Sequence, residues 1–409
     1  MAFEFTALFR DDLPPAAGRW SGFPEYNFIG GHNDAPSVPV DALVEAATRV
    51  LKREGHDLAT YGLQSGPLGY RPLRDFLVGA LKQRAGIACS PDDILVTSGS
   101  LQALDLVNGI LLSPGDAVIF EAASYGGALT RMQRAGVEVV GVPGDQDGMR
   151  MDLLAAALEA LSASGKQAKY IYTIPTVQNP TGTVMSLERR KALLALSKQF
   201  GVPIFEDDCY ADLLWDGERP PALHALGGDA QVIYCGSFSK TIAPALRVGY
   251  VVADWDVLSR MLAIKTDAGS GSVEQMILGE YAPAHFDSHV ASLTETLHGK
   301  CNAIVEALTE EFGTDAEFMV PKGGIFIWVT LPEGVDTTKL AQAAAGEGVA
   351  LNPGAEWSAD PEDGRRRMRL CFGNPSVETI RAGVARLAEI CYCETGIPKR
   401  GANVVRAEG

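Results

Sequence analysis

The sequence predicts an α/β protein in which a large domain on a mainly parallel, seven-stranded sheet carries a smaller α+β domain. Three observations lead there. Seven short apolar runs rich in β-branched residues (94–97, 117–120, 137–142, 170–174, 203–205, 232–235 and 248–252) are separated by stretches of helical pattern. Strands alternating with helices form βαβ units, whose parallel sheet is covered on both faces. After a helix-rich stretch near 273–312 the pattern changes, and runs at 318–320, 325–330 and 367–372 suggest a second unit. The length of 409 residues also exceeds what one core usually fills.

Taken in order, residues 1–45 are rich in Gly, Pro and aromatics and read as an extended arm that contributes to the small domain. The large domain is expected over 46–295, the small domain over 296–396, and a polar tail over 397–409. A helical pattern runs over 40–53, followed by a loop with Gly62, Gly66, Pro67 and Gly69 and a second helix over 71–84. Further helices are expected at 101–112 and 186–200, the latter opened by Ser186 as N-cap with Glu188 in its first turn.

Composition narrows the function. Lys and Arg number 35 against 51 Asp and Glu, a net charge of −16, so no basic stripe is available to neutralise nucleic-acid phosphates. With 46% hydrophobic residues the chain can bury enough apolar surface to fold. Cysteines 89, 209, 235, 301, 371, 391 and 393 are odd in number and never spaced as CxxC, which suits reduced thiols rather than disulfides or a zinc site. The opening MAFEFTALFRDD lacks a basic, then apolar, leader, and no apolar run reaches the ~20 residues that span a bilayer. A cytoplasmic location is expected, with no membrane partner.

Ligands of open α/β sheets bind beyond the carboxyl ends of the strands. The run at 170–174 leads into Gln178-Asn179-Pro180-Thr181-Gly182, and the run at 203–205 into Glu206-Asp207-Asp208-Cys209-Tyr210. The run at 232–235 is followed by Ser237-Phe238-Ser239-Lys240, with Arg247 seven residues on. Each alone also fits an Asn-Pro turn, a solvated acidic cap or a surface Ser/Lys turn. Two hydroxyls, an amine and a guanidinium together suit a phosphate and a carbonyl-bearing cofactor. Ser98-Gly99-Ser100-Leu101-Gln102 opens a helix after the first run, where free N–H groups and the helix dipole favour an anion.

In order and spacing, Asn179, Asp207, Tyr210, Lys240 and Arg247 resemble the active-site set of the fold-type-I pyridoxal-phosphate (PLP) enzymes, class I/II aminotransferases in particular. Pro321-Lys322-Gly323-Gly324-Ile325-Phe326-Ile327-Trp328, Asn352-Pro353-Gly354 and Arg369-Leu370-Cys371-Phe372 resemble the kynurenine/α-aminoadipate and multi-substrate bacterial subgroup. The resemblance implies that Lys240 holds PLP as an aldimine and shuttles the α-proton, and that Asp207 keeps the pyridine nitrogen protonated. Asn179 and Tyr210 would bond the phenolic oxygen, and Tyr125 would stack on the ring. The phosphate falls to Ser100, Leu101, Gln102, Ser237, Ser239 and Arg247, joined by Tyr61 of a second subunit, which implies a homodimer. Arg369 is expected to grip the substrate α-carboxylate.

Relatives commonly read Gly-Gly-Leu-Pro where this chain has Gly30-Gly31-His32-Asn33. Gly31 and His32 are therefore expected beside the substrate, with His32 and Asn33 making its side-chain pocket more polar. The implied reaction moves an amino group from an α-amino acid to a 2-oxo acid. The same residues would also serve a PLP-dependent lyase, decarboxylase or oxidase. A PLP-binding transcription regulator carries a related domain, but no basic helix-turn-helix pattern precedes Gly30 here.

Overall fold

The computed structural model describes residues 4–11, 13–227 and 231–399. Its main sheet has seven strands: β1 (Ile94–Thr97), β2 (Ala117–Glu121), β3 (Glu138–Val142), β4 (Ala168–Thr173), β5 (Ile204–Asp207), β6 (Val232–Ser237) and β7 (Gly249–Val252). Their order is β1-β7-β6-β5-β4-β2-β3. From β6 to β3 all neighbours are parallel, whereas β7 runs antiparallel to both β6 and β1. Alternate residues leave opposite faces. Val118 and Phe120 join one core with Tyr170, Tyr172 and Phe205, while Ala117 and Ile119 join another with Ile171 and Ile204.

Helices α1 (Val40–Glu54), α2 (Arg71–Ala85), α3 (Ser100–Leu111) and α4 (Leu187–Phe200) begin and end close to their expected positions. Ser186 caps α4 by accepting the Arg189 backbone N–H, satisfying one of the donors a helix start leaves open. The smaller sheet is antiparallel, with β8 (Glu317–Phe318), β9 (Phe326–Thr330), β10 (Asn352–Pro353) and β11 (Arg367–Cys371) in the order β8-β9-β11-β10. Within the arm, Tyr26–Asn27 pairs in parallel with Val349–Ala350, so the arm adds a short sheet of its own beside the small domain.

A single 41-residue helix, α5 (Ser272–Phe312), runs through the expected boundary at 295/296. Its first half packs Met276, Tyr281 and Phe286 against α1 and α2, and its second half packs Ile304, Leu308 and Phe312 into the small-domain core. Midway, Lys300 donates to Asp34 at 2.6 Å and to the Gly373 and Asn374 carbonyls at 2.9 and 3.3 Å. This buried pair ties the arm, α5 and the loop after β11 together, and satisfied charges of this kind are costly to unpair. Most of the expected tail at 397–409 lies outside the described residues, but Ile397 is buried against the small-domain core. Among the described residues, no helix is long and apolar enough to cross a membrane.

Candidate active site

The carboxyl ends of β1, β2, β4, β5 and β6 open on one cavity of about 340 Å³, closed from the other side by the arm and by β11. Gly99, with φ +81°, turns the chain from β1 into α3, and a Cβ there would strike the Arg247 guanidinium. No side chain caps α3, and Ser100 and Leu101 line the cavity at its positive end. Arg247 itself has φ +54° and donates to the Ser98 and Pro244 carbonyls at 3.1 and 3.2 Å and to Ser239 Oγ at 3.4 Å. Ser237 Oγ accepts the Ser239 N–H at 3.0 Å. The corner is rich in donors and holds no carboxylate, so it suits a phosphate.

Lys240 lies three residues beyond β6. Its Nζ donates to the Gly31 carbonyl at 2.6 Å and lies 6.0 Å from the Tyr210 ring centre. Burial holds the ammonium below its ordinary pKa. A side chain at Gly31 would meet Nζ, so any larger residue there would push the lysine out of its present position.

Asp207 ends β5 and is buried. The Tyr172 hydroxyl donates to Oδ2 at 2.7 Å, and Oδ1 has no partner. Burial raises this carboxyl above its usual range, against hydrogen bonds from Cys209 and Tyr172. A protonated nitrogen donor placed at Oδ1 would supply the missing hydrogen bond and favour the charged form.

Asn179 bridges the two domains. Its Nδ2 donates to Tyr210 Oη at 3.2 Å and its Oδ1 accepts from Arg369 at 3.2 Å. Arg369 also donates to the Gly30 carbonyl at 2.6 Å and to Asn352 Oδ1 at 2.8 Å. Its guanidinium lies 3.8 Å from the Trp357 ring centre, a cation–π contact. Arg369 is buried, makes no ion pair among the described residues, and leaves Nε without a partner. A desolvated cation opening into a cavity is a receptor for a carboxylate. Tyr125 completes this wall, tilted against Trp357 with ring centres 5.7 Å apart.

Of the residues named from sequence, the cavity brings together Gly31, Ser100, Leu101, Tyr125, Asn179, Asp207, Tyr210, Ser237, Ser239, Lys240, Arg247 and Arg369. Four lie elsewhere. Gln102 bonds the Ser98 N–H at 2.8 Å and Asp267 at 2.6 Å. Tyr61 is 89% exposed on a separate groove. His32 packs edge-on against Phe23 and is not part of the cavity wall. The amide of Asn33 donates to the Lys240 and Ile242 carbonyls at 3.2 and 3.3 Å, which fastens the arm to the lysine loop.

Sequence reasoning missed Asn352, Trp357 and Tyr172. Asn352 stood in a motif already singled out, but only the register Asn352↔Arg369 assigns it a partner. Nothing in the local sequence around Trp357 or Tyr172 marks them as site residues.

The family model for aminotransferase class I and II matches residues 28–387. The chain belongs to the class I and II aminotransferases. Aromatic-amino-acid aminotransferase 1 of Thermococcus litoralis is 36% identical over 366 residues, covering 89% of this chain and 87% of that one. The solved multiple substrate aminotransferase of Thermococcus profundus is 33% identical with a TM-score of 0.88, covering 96% of this chain and 100% of that chain. The α-aminoadipate aminotransferase LysN of Thermus thermophilus, solved with N-(5'-phosphopyridoxyl)-L-leucine, is 32% identical with a TM-score of 0.83, covering 91% and 93%.

The aminotransferase uses PLP and moves amino groups between amino acids and 2-oxo acids. Its cavity fits that cofactor. The donor corner suits the phosphate, the orphaned Asp207 Oδ1 suits the ring nitrogen, and the half-buried Lys240 amine suits the carbonyl carbon.

Proposed function

We propose that this aminotransferase holds PLP between Lys240, Asp207, Tyr125 and the donor corner of Ser100, Leu101, Ser237, Ser239 and Arg247, and takes α-amino acids by their carboxylate at Arg369. One observation carries the reading: a buried guanidinium with no ion pair among the described residues shares a cavity with a half-buried lysine and a half-satisfied buried carboxylate.

When bound, PLP supplies an electrophilic carbonyl carbon and a ring able to accept an electron pair. Lys240 supplies the amine. Its Nζ would bond to the carbonyl carbon with loss of water and, once freed by substrate, would take the proton from the substrate Cα and pass it to that carbonyl carbon; its lowered pKa favours the neutral amine that both roles need. Asp207 Oδ1 would accept the ring N–H, and Asn179 Nδ2 and Tyr210 Oη would bind the phenolic oxygen. Arg369 aligns the amino acid through two parallel N–H···O bonds while Trp357 shields that pair from water. The consecutive carbonyls of Gly30 and Gly31 hold Arg369 and Lys240 until substrate and cofactor displace them.

The test is the visible spectrum of the PLP-loaded protein before and after L-glutamate without an acceptor. Loss of the visible band with gain of the pyridoxamine band is expected. A band left intact by glutamate and by every other L-amino acid tried overturns the reading.

We infer, in addition, a homodimer paired across the face that carries Tyr61. Support comes from the exposure of that ring beside the half-exposed Leu58, on a groove of about 750 Å³. Sedimentation should give twice the chain mass of 43.5 kDa, and an active single-chain species would sink the inference.

A further inference from the structure

Beside the site lies a carboxylate that takes no part in it. Glu121 ends β2, is buried, and forms no ion pair among the described residues. Its Oε1 accepts from Thr173 Oγ1 at 3.0 Å, and its Oε2 accepts from the Ile174 N–H and from Gln178 Nε2, both at 3.2 Å. Burial pushes its carboxyl up to about 7, against these hydrogen bonds. Holding a carboxylate there without a cation is unfavourable, so the three converging donors are what stabilise it.

All three donors come from the segment that delivers Asn179. Thr173 ends β4, Ile174 follows it, and Gln178 adjoins Asn179. Gln178 extends the clamp past Asn179, because its Oε1 accepts from both the N–H and the hydroxyl of Thr181 at 2.8 and 2.7 Å. Within the segment Val177 has φ +56°, a left-handed conformation that a β-branched residue avoids unless its surroundings impose it.

We propose that Glu121 is a positioning residue that fixes the 174–183 loop so that Asn179 meets Tyr210 and Arg369. The consequence for catalysis rests on the PLP reading above. Glu121→Leu keeps the volume and removes both acceptors. Glu121→Gln keeps an oxygen for Ile174 and Gln178 and turns an NH₂ toward the Thr173 hydroxyl, which can accept, so it should restore wild-type behaviour.

Two measurements decide. Hydrogen exchange on the cofactor-free protein should show the peptide over 174–183 exchanging about tenfold faster in Glu121→Leu, the factor expected from losing roughly one buried hydrogen bond. In loaded protein, the pH at which the visible band titrates should rise by about half a unit or more, since a displaced Asn179 no longer stabilises negative charge on the phenolic oxygen. That rise should vanish in an Asn179→Ala background. Wild-type exchange in Glu121→Leu, or a rise that persists without Asn179, overturns the proposal. Should Glu121→Leu fail to fold, Gln178→Leu breaks the same clamp and is held to the same outcomes. A wild-type protein with no titrating band would overturn the PLP reading, while the exchange result would still decide the role of Glu121.

Discussion

Lys240→Ala should lower turnover by more than about 10⁴-fold and leave a folded protein that still binds PLP. Proton transfer by a positioned side chain contributes about 10²–10⁴-fold, and this substitution also removes the amine that bonds to the cofactor, so both losses fall on one residue. Folding should survive. Among the described residues, the side-chain hydrogen bond broken is the one to the Gly31 carbonyl, and the group deleted is a half-buried cation whose desolvation opposes stability. Binding should survive as well, because the donor corner and Asp207 are untouched. Circular dichroism and equilibrium dialysis with PLP check the last two points, and steady-state transamination checks the first. Residual turnover within tenfold of wild type would refute the assignment.

Arg369→Ala should raise the KM for amino acids by about 10- to 150-fold, the equivalent of the roughly 1.5–3 kcal/mol that a charged hydrogen bond contributes. Its guanidinium has no carboxylate partner among the described residues and is presented by Trp357 and Asn352, so a bound α-carboxylate meets a preformed partner. Lysine should not rescue, since an ammonium lacks the planar fork and the stacking face. Burial holds the guanidinium below its ordinary pKa, yet an arginine stays charged across the working range, so the effect should persist at every pH tested. An unchanged KM for every amino acid would defeat this assignment, and Arg367 is no ready substitute because it lines a different groove.

The main sheet was legible because most of its strands are buried on both faces and so read as apolar runs. Tyr26–Asn27 and Val349–Ala350 were not, since two-residue strands display no period and their pairing depends on the arm reaching the small domain. The antiparallel direction of β7 was equally hidden, because strand direction within a sheet is a property of the connections. The expected domain boundary fell inside α5, whose apolar positions serve two cores in succession. The contacts of His32 and Asn33 were hidden too. Carbonyls at 240 and 242 and the ring of Phe23 are what meet them, and no local pattern announces those partners.

Read alone, then, the chain determined its βαβ order, the polar residues at its strand ends and the family those residues resemble. These are local properties: a few neighbouring residues decide whether backbone runs as strand, helix start or turn. Only the tertiary structure decided which polar groups share one cavity. Asn179 and Arg369 are 190 positions apart, and they meet because β11 lies in one register on the small sheet and α5 and the arm hold that sheet against the large domain. Such facing depends on packing among elements remote in sequence, where a shift of one residue turns a side chain to the opposite face.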